Sequence, residues 1–130
     1  MTNLEFKIAL EKRTLMFAVD VIRMLRSVPP GFETRNLRDQ VLRSATAIGA
    51  NYREANRAES KADFIHKLAI VAKEAAETEY WLQVLNELFS DVEELPSLLI
   101  EAANLTRIFD QSLRTLSRRL TRRNSEQANP

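Results

Sequence analysis

Apolar residues recur at alternating spacings of three and four along nearly the whole chain, and this pattern constrains the fold most strongly. The first of four such stripes consists of Phe6, Leu10, Phe17, Val21 and Met24. Residues three and four apart share one face of an α-helix, so each stripe predicts an amphipathic helix. The other stripes are Leu37, Val41, Ile48, Tyr52 and Ala55; Phe64, Leu68, Val71, Ala75, Leu82 and Phe89; and Leu98, Ala102, Leu105, Phe109, Leu116 and Leu120. Four such helices predict an all-α, antiparallel up-down-up-down four-helix bundle.

Helix-breaking and helix-starting residues mark the ends of the first two segments. Pro29-Pro30-Gly31 is the first break, because tandem prolines do not continue a helix, and Thr34 is the predicted N-cap of the next helix. The second break lies near Arg57–Ser60. There, Ser60 and Asp63 form an S-x-x-D pair, which is typical of a helix start.

The third break is the acidic stretch Ser90–Leu95, and Pro96 after it suits the first turn of a helix. The predicted helices therefore span about residues 4–28, 35–58, 61–89 and 96–122. They form one bundle of residues 1–123, and residues 124–130 are predicted to be a flexible C-terminal tail.

The composition is poor in cysteine, histidine and glycine, which many catalytic, metal-binding and nucleotide-binding sites use. The chain has no cysteine, two glycines and a single histidine, His66. Disulfides and thiolate metal sites are thereby excluded, and neither glycine-rich nucleotide-binding motif occurs. A carboxylate di-metal site in a bundle needs Glu-x-x-His pairs on two helices, whereas Asp63 and His66 make one Asp-x-x-His. We therefore predict a surface histidine, no metal, no cofactor and no enzymatic activity.

The N-terminal residues carry charges throughout and lack the apolar run of a signal peptide. No apolar stretch is long enough for a transmembrane helix either. The expected location is the cytoplasm, with no membrane association.

Charge is segregated although the net charge is only +1. Residues 34–58 and 96–122 each hold five arginines against two acidic residues, whereas the predicted third helix has a small acidic excess. Guanidinium groups suit phosphate and carboxylate, so these arginines are candidates for binding nucleic acid or an acidic partner. The candidate residues are Arg35, Arg38, Arg43, Arg114, Arg118, Arg119, Arg122 and Arg123.

The densest basic run is RTLSRRLTRR, Arg114 to Arg123, and it has two interpretations. It can be a solvated helix end whose cations complement the helix dipole. Alternatively, it can dock a phosphate backbone or an acidic partner. No aromatic residue is interleaved in the run, so a stacking platform for single-stranded bases is not indicated.

The apolar surface exceeds one stripe per helix. The first helix carries a second apolar face, and the third carries an alanine strip. The residues concerned are Ile8, Leu15, Ala18, Ile22 and Leu25, and Ala69, Ala72 and Ala76. Such surplus surface serves either tight packing within the bundle or burial between subunits. We predict a homo-oligomer on this basis.

A further group of polar residues is predicted to be structural. Glu79 falls in the stripe of the third helix, so its carboxylate would need a partner such as Arg53 or Arg57, while Asn51 could donate a hydrogen bond. The polar residues assigned structural roles are Asn51, Glu54, Arg57, Ser60 and Glu79.

The stretch from Ser44 to Leu82 resembles the family of 23S ribosomal RNA intervening-sequence proteins. The positions that match the family's pattern are Ser44, Ile48, Asn51, Glu54, Arg57, Ser60, Phe64, Ala72 and Glu79. Two positions depart from it, since Ala55 replaces a glycine and Ala47 replaces a serine. Alanine suits a helix at both positions.

The resemblance implies a small bacterial cytosolic protein that assembles into homopentameric rings of four-helix bundles. The family is also similar in fold to the accessory variability proteins of diversity-generating retroelements, which bind nucleic acid and a reverse transcriptase through basic surfaces. Our leading hypothesis is therefore a non-enzymatic oligomer that binds nucleic acid, RNA in particular, through arginines of helices two and four. The alternative is a scaffold or adaptor whose charged faces mediate self-assembly or partner docking.

Overall fold

The computed structural model describes residues 1–128, which form four α-helices joined by short loops. In chain order these are α1 (Asn3–Leu25), α2 (Phe32–Ala55), α3 (Lys61–Leu88) and α4 (Leu95–Ala128). Within these residues there is no strand, so the predicted all-α four-helix bundle is confirmed. No helix in this part of the chain is long and apolar enough to cross a membrane.

Consecutive helices pack side by side, and α1 also contacts α4. The contacts run antiparallel: Glu11 of α1 meets Asn56 after α2, while the carbonyl of Val28 after α1 meets Arg38 of α2. Consequently α2 and α4 are diagonal partners. We call the end of the bundle formed by residues 1–7, 55–62 and 112–123 the termini end, and the opposite end, formed by residues 25–32 and 88–95, the loop end.

The predicted stripes form the core because each turns its apolar face to the bundle axis. Val21, Val41, Val71, Leu105 and Phe109 are all completely buried. The stripe of α1 is interrupted at the termini end, where the side chain of Phe6 is 44% exposed. Most of the predicted core is therefore confirmed, but the core is open to solvent at this end.

The start of α2 differs from the sequence prediction. Gly31 occupies the N-cap position, and Thr34 lies inside the helix with its hydroxyl donating to the carbonyls of Pro29 and Gly31, each at 3.1 Å. The prediction that Thr34 is the N-cap was wrong, because its side chain bonds backward to the loop and lets the helix begin earlier. By contrast, Ser60 caps α3 by accepting the backbone N–H of Asp63 at 3.1 Å, as the sequence predicts.

The fourth helix is longer than predicted. It continues through residues 124–128, so the expected helix end at 122 and the expected tail from 124 are corrected for these residues. Residues 129 and 130 lie outside the described part of the chain. No glycine or proline occurs from Leu98 to Ala128, and Arg122 pairs with Glu126 one turn on, at 3.4 Å.

The lengths of the helices explain how α4 leaves the bundle. At 1.5 Å per residue, α4 is about 51 Å long and α1 about 35 Å. Residues 121–128 are all exposed, whereas Leu116 and Leu120 are still half-buried. The last two turns of α4 therefore project beyond the other helices at the termini end.

Candidate nucleic-acid interface

The arginines near the end of α4 fall on two different faces of the helix. Arg114, Arg118 and Arg122 are four residues apart in succession and therefore form a continuous row. We call these three residues the outer strip, since each is exposed on the side of α4 away from the bundle. Arg119 and Arg123 form a second row, which lines a cleft at the termini end. The sequence prediction treated the five as one site, and the structure divides them.

The outer strip is only partly neutralised within the protein. Within residues 1–128, neither Arg114 nor Arg118 forms an ion pair with a carboxylate. Arg122 has the exposed partner Glu126, and a pair of this kind contributes little free energy. The guanidinium groups of this strip are thus available to an external anion.

The arginines of α2 are used differently. Arg38 is half-buried and donates to the backbone carbonyl of Val28, where it holds the turn after α1. Arg43 forms ion pairs with Glu74 at 3.4 Å and with Glu77, both on α3. The side chains of these two predicted binding residues therefore form contacts within the bundle.

Arg35 remains exposed, but it lies near the loop end, at the start of α2. The outer strip lies at the opposite end, on the diagonal helix. The structure therefore does not bring the predicted arginines of α2 and α4 together within one chain.

The predicted structural polar residues take several positions. Asn51 is half-buried and donates to the carbonyl of Ala47 at 2.8 Å, within its own helix. Glu54 and Arg57 are exposed near the termini end, and Ser60 is the cap described above. Within residues 1–128, none of these four residues forms a side-chain hydrogen bond or ion pair with another helix.

The prediction that Arg53 or Arg57 pairs with Glu79 was wrong. Arg53 pairs instead with Glu11 at 3.8 Å, and within residues 1–128 Glu79 forms no ion pair, although it is half-buried. The cause is the antiparallel register of α2 and α3. Because Arg43 is level with Glu77, Glu79 lies more than two turns away from Arg53 along the bundle.

The ion-pair network between α2 and α3 was not predicted from the sequence. Glu77 accepts from Arg43 and also from the indole N–H of Trp81, at 3.2 Å for the latter. The one signal was the spacing of Glu74, Glu77 and Trp81, which places all three on one side of α3. Their partner could not be read without knowing the register of the two helices.

Metal ligands do not converge in the part of the chain that the structure describes. It contains no group of three His, Cys, Asp or Glu side chains that could hold a metal ion. His66 is exposed on α3, as the sequence analysis expects.

These features define a four-helix bundle whose last helix projects from the bundle and carries an exposed row of arginines. The chain belongs to the 23S rRNA-intervening sequence protein family, whose model matches residues 7–111. It is also similar to the crystal structure of a protein with unknown function from the S23 ribosomal protein family of Bacteroides thetaiotaomicron. That comparison has 36% sequence identity and a TM-score of 0.69, and it covers 79% of this chain and 96% of the other. Among curated proteins no match was found.

The family match ends at residue 111, before the first arginine of the outer strip. Family membership therefore accounts for the bundle, whereas the arginine-rich part of α4 lies beyond the matched segment.

Proposed function

We propose that this protein is a non-enzymatic, oligomeric bundle of the cytoplasm that binds nucleic acid, RNA in preference to DNA, through the outer strip of α4. The observation that carries the proposal is the exposed row of Arg114, Arg118 and Arg122 on a helix that projects from the bundle. Because the row lies on the side of α4 away from the other helices, and Arg122 lies in the projecting turns, a phosphate backbone can approach the row without a clash.

Successive arginines of the strip are about 6 Å apart along the helix axis, so their side chains reach separate phosphates. Binding of this kind releases counterions and is strongly salt-dependent. RNA is the first class to test because the family description refers to intervening sequences of 23S rRNA.

Self-assembly is the second candidate function, and a specific surface favours it. Ile8, Leu15 and Ile22 of α1 are seven residues apart and are 60%, 50% and 38% exposed. Leu4 on the same side is also exposed. We call these four residues the α1 apolar row. A row with heptad spacing suits the packing of a helix from another subunit, and a ring, such as the pentamer that the family resemblance implies, would collect several outer strips in one assembly.

Fluorescence anisotropy tests the nucleic-acid proposal. The probes are a labelled RNA hairpin and a DNA hairpin of the same sequence, measured at about 50 mM monovalent salt, where phosphate contacts are strong. The proteins are the wild type, the triple variant Arg114→Gln/Arg118→Gln/Arg122→Gln and the control variant Lys12→Gln/Arg26→Gln/Lys73→Gln. The control removes the same charge from exposed cations that do not form a row on one face.

We expect the triple variant to bind RNA at least tenfold more weakly than the wild type and the control variant to stay within about threefold, because only the row contacts phosphates together. Equal affinity of the triple variant and the wild type would overturn the proposal. Tighter binding of DNA than of RNA would support the outer strip as the binding surface but contradict the preference for RNA.

A further inference from the structure

A cleft of about 720 Å³ opens at the termini end, where the apolar stripe of α1 is interrupted. Apolar side chains from three helices form its floor, among them Phe6 and Leu10 of α1, Phe64 of α3 and Leu116 of α4. Phe6 is 44% exposed, so the floor is accessible to solvent. The size lies within the range of about 300–1,000 Å³ that is usual for small-molecule sites.

The charged residues that line the cleft are all cations. They are Lys7, Lys61, Arg119 and Arg123, and no Asp or Glu is among the lining residues. The ammonium of Lys7 lies 5.9 Å from the centre of the Phe64 ring, so α1 and α3 meet across the floor at this point.

Two carboxylates near this end, Glu11 and Asp63, have partners of their own. Glu11 accepts from Asn56 at 2.9 Å and pairs with Arg53. Asp63 accepts the backbone N–H of Glu59 at 3.2 Å and pairs with Lys67 at 3.3 Å. Within residues 1–128, none of the four rim cations forms an ion pair with a carboxylate.

Two polar groups lie deeper in the cleft. The side-chain oxygen of Asn56 is buried and has no hydrogen-bond partner within residues 1–128. Tyr52 lies beside it with its ring 5.4 Å from that of Phe109, and burial raises the pKa of its phenol. Both groups come from the C-terminal end of α2, and they add a polar patch to the wall of the cleft.

We propose that this cleft binds a single-chain amphipathic anion of the long-chain carboxylate class. The alkyl chain would lie on the apolar floor, and the carboxylate would stay at the mouth between Arg119 and Arg123. Both charge and shape favour this occupant, because a neutral chain would leave the rim cations unused and a short anion would leave the floor exposed. The inference is separate from the proposed nucleic-acid binding, since it concerns the other row of α4 arginines.

Isothermal titration calorimetry of the full chain tests the proposal with octanoate, decanoate and dodecanoate, each below its micellar concentration. We expect one site per chain, and affinity should rise about fourfold for each added methylene, as burial of one CH₂ predicts. Dodecyltrimethylammonium has an apolar chain of the same length and the opposite charge, and we expect at least tenfold weaker binding. Equal binding of this cation, or no binding of any carboxylate, would overturn the proposal.

Matched variants locate the site. Arg119→Gln/Arg123→Gln should weaken dodecanoate binding at least tenfold, while Arg114→Gln/Arg118→Gln, the same change on the outer strip, should leave it within twofold. Phe6→Ser should weaken binding similarly, while Ile100→Ser, at an exposed apolar position of α4 that does not line the cleft, should not. If a cleft variant and its matched control weakened dodecanoate binding equally, the assignment of the binding site to this cleft would be overturned.

The same variants separate a small ligand from a second copy of the chain as the occupant. If Phe6→Ser lowers the molecular mass in light scattering and dodecanoate does not bind, the cleft is a subunit interface and the proposal fails. Loss of RNA binding in the outer-strip variant would not affect this outcome, because that variant keeps the rim intact.

Discussion

Arg13 and Glu101 form two parallel hydrogen bonds between α1 and α4, from Nε at 2.7 Å and from a terminal guanidinium nitrogen at 2.6 Å. This fork joins the middle of α1 to the second turn of α4. The hydrogen bonds to the carboxylate raise the pKa of Arg13. Beyond the fork, toward the termini end, residues of both helices line the cleft.

We predict that this pair contributes a measurable but modest coupling. Both side chains are partly exposed, so we expect a coupling free energy of about 0.5–1 kcal/mol from a double-mutant cycle of Arg13→Ala and Glu101→Ala. Urea unfolding provides the four free energies of unfolding. Additive effects of the two substitutions would contradict a role for the fork in joining α1 to α4.

Gly49→Ala is predicted to destabilise the protein although alanine favours helices. A Cβ atom at position 49 would lie 3.1 Å from Oγ1 and 3.3 Å from Cβ of Thr14, and 3.5 Å from its backbone carbonyl carbon. The gain of about 1 kcal/mol in helix propensity is opposed by overpacking, which typically costs about 1–3 kcal/mol. We expect a net loss of up to about 2 kcal/mol in urea unfolding, and a net gain would show that α1 and α2 are not packed this closely.

The ionisation of Asp63 is predicted to make the free energy of unfolding depend on pH in the acid range. The backbone N–H of Glu59, followed by Lys67, lowers its pKa below the ordinary value of 3.8. A carboxyl whose pKa is lowered by folding stabilises the protein above the unfolded-state pKa, and this stabilisation is lost as the pH falls through the folded-state pKa. Asp63→Asn keeps an acceptor for the cap but cannot ionise. We expect the wild type to be more stable than Asp63→Asn at pH 7, and we expect this difference in stability to vanish below the folded-state pKa. Urea unfolding midpoints measured across the pH range test this. A difference that stays constant with pH would contradict it.

The α1 apolar row is predicted to hold subunits together. Leu15→Glu should lower the mass measured by multi-angle light scattering to that of a smaller species, because a buried carboxylate without a partner opposes association. Ile100→Glu is the control, since Ile100 of α4 is also apolar and well exposed, at 64% compared with 50%. A monomeric wild type at micromolar concentration, or equal effects of both changes, would reject this interface.

The fold could be predicted from the sequence because it depends on local periodicity. The spacing of residues such as Val21, Ile48 and Leu105 determines which face of each helix is buried, whatever its neighbours are. The division of the α4 arginines also follows from spacing, since Arg114 and Arg118 are one turn apart while Arg119 begins the next row.

The contacts of the α2 arginines could not be predicted in this way. Arg38 meets the carbonyl of Val28, and Arg43 meets two carboxylates of α3, because of the register between helices. That register depends on loop lengths and on close contacts such as that between Thr14 and Gly49. The cleft likewise arises where α1, α3 and α4 have different ends, which no single segment specifies.

The salt dependence of RNA binding tests the central claim most directly. Each phosphate contact on a duplex adds about 0.9 to the steepness of log K against log salt concentration. Replacing Arg114, Arg118 and Arg122 with glutamine should therefore reduce the slope by about two to three per bound chain, while the control variant Lys12→Gln/Arg26→Gln/Lys73→Gln should keep nearly the wild-type slope. A slope that is unchanged in the outer-strip variant, or reduced equally in both variants, would contradict binding through the outer strip of α4.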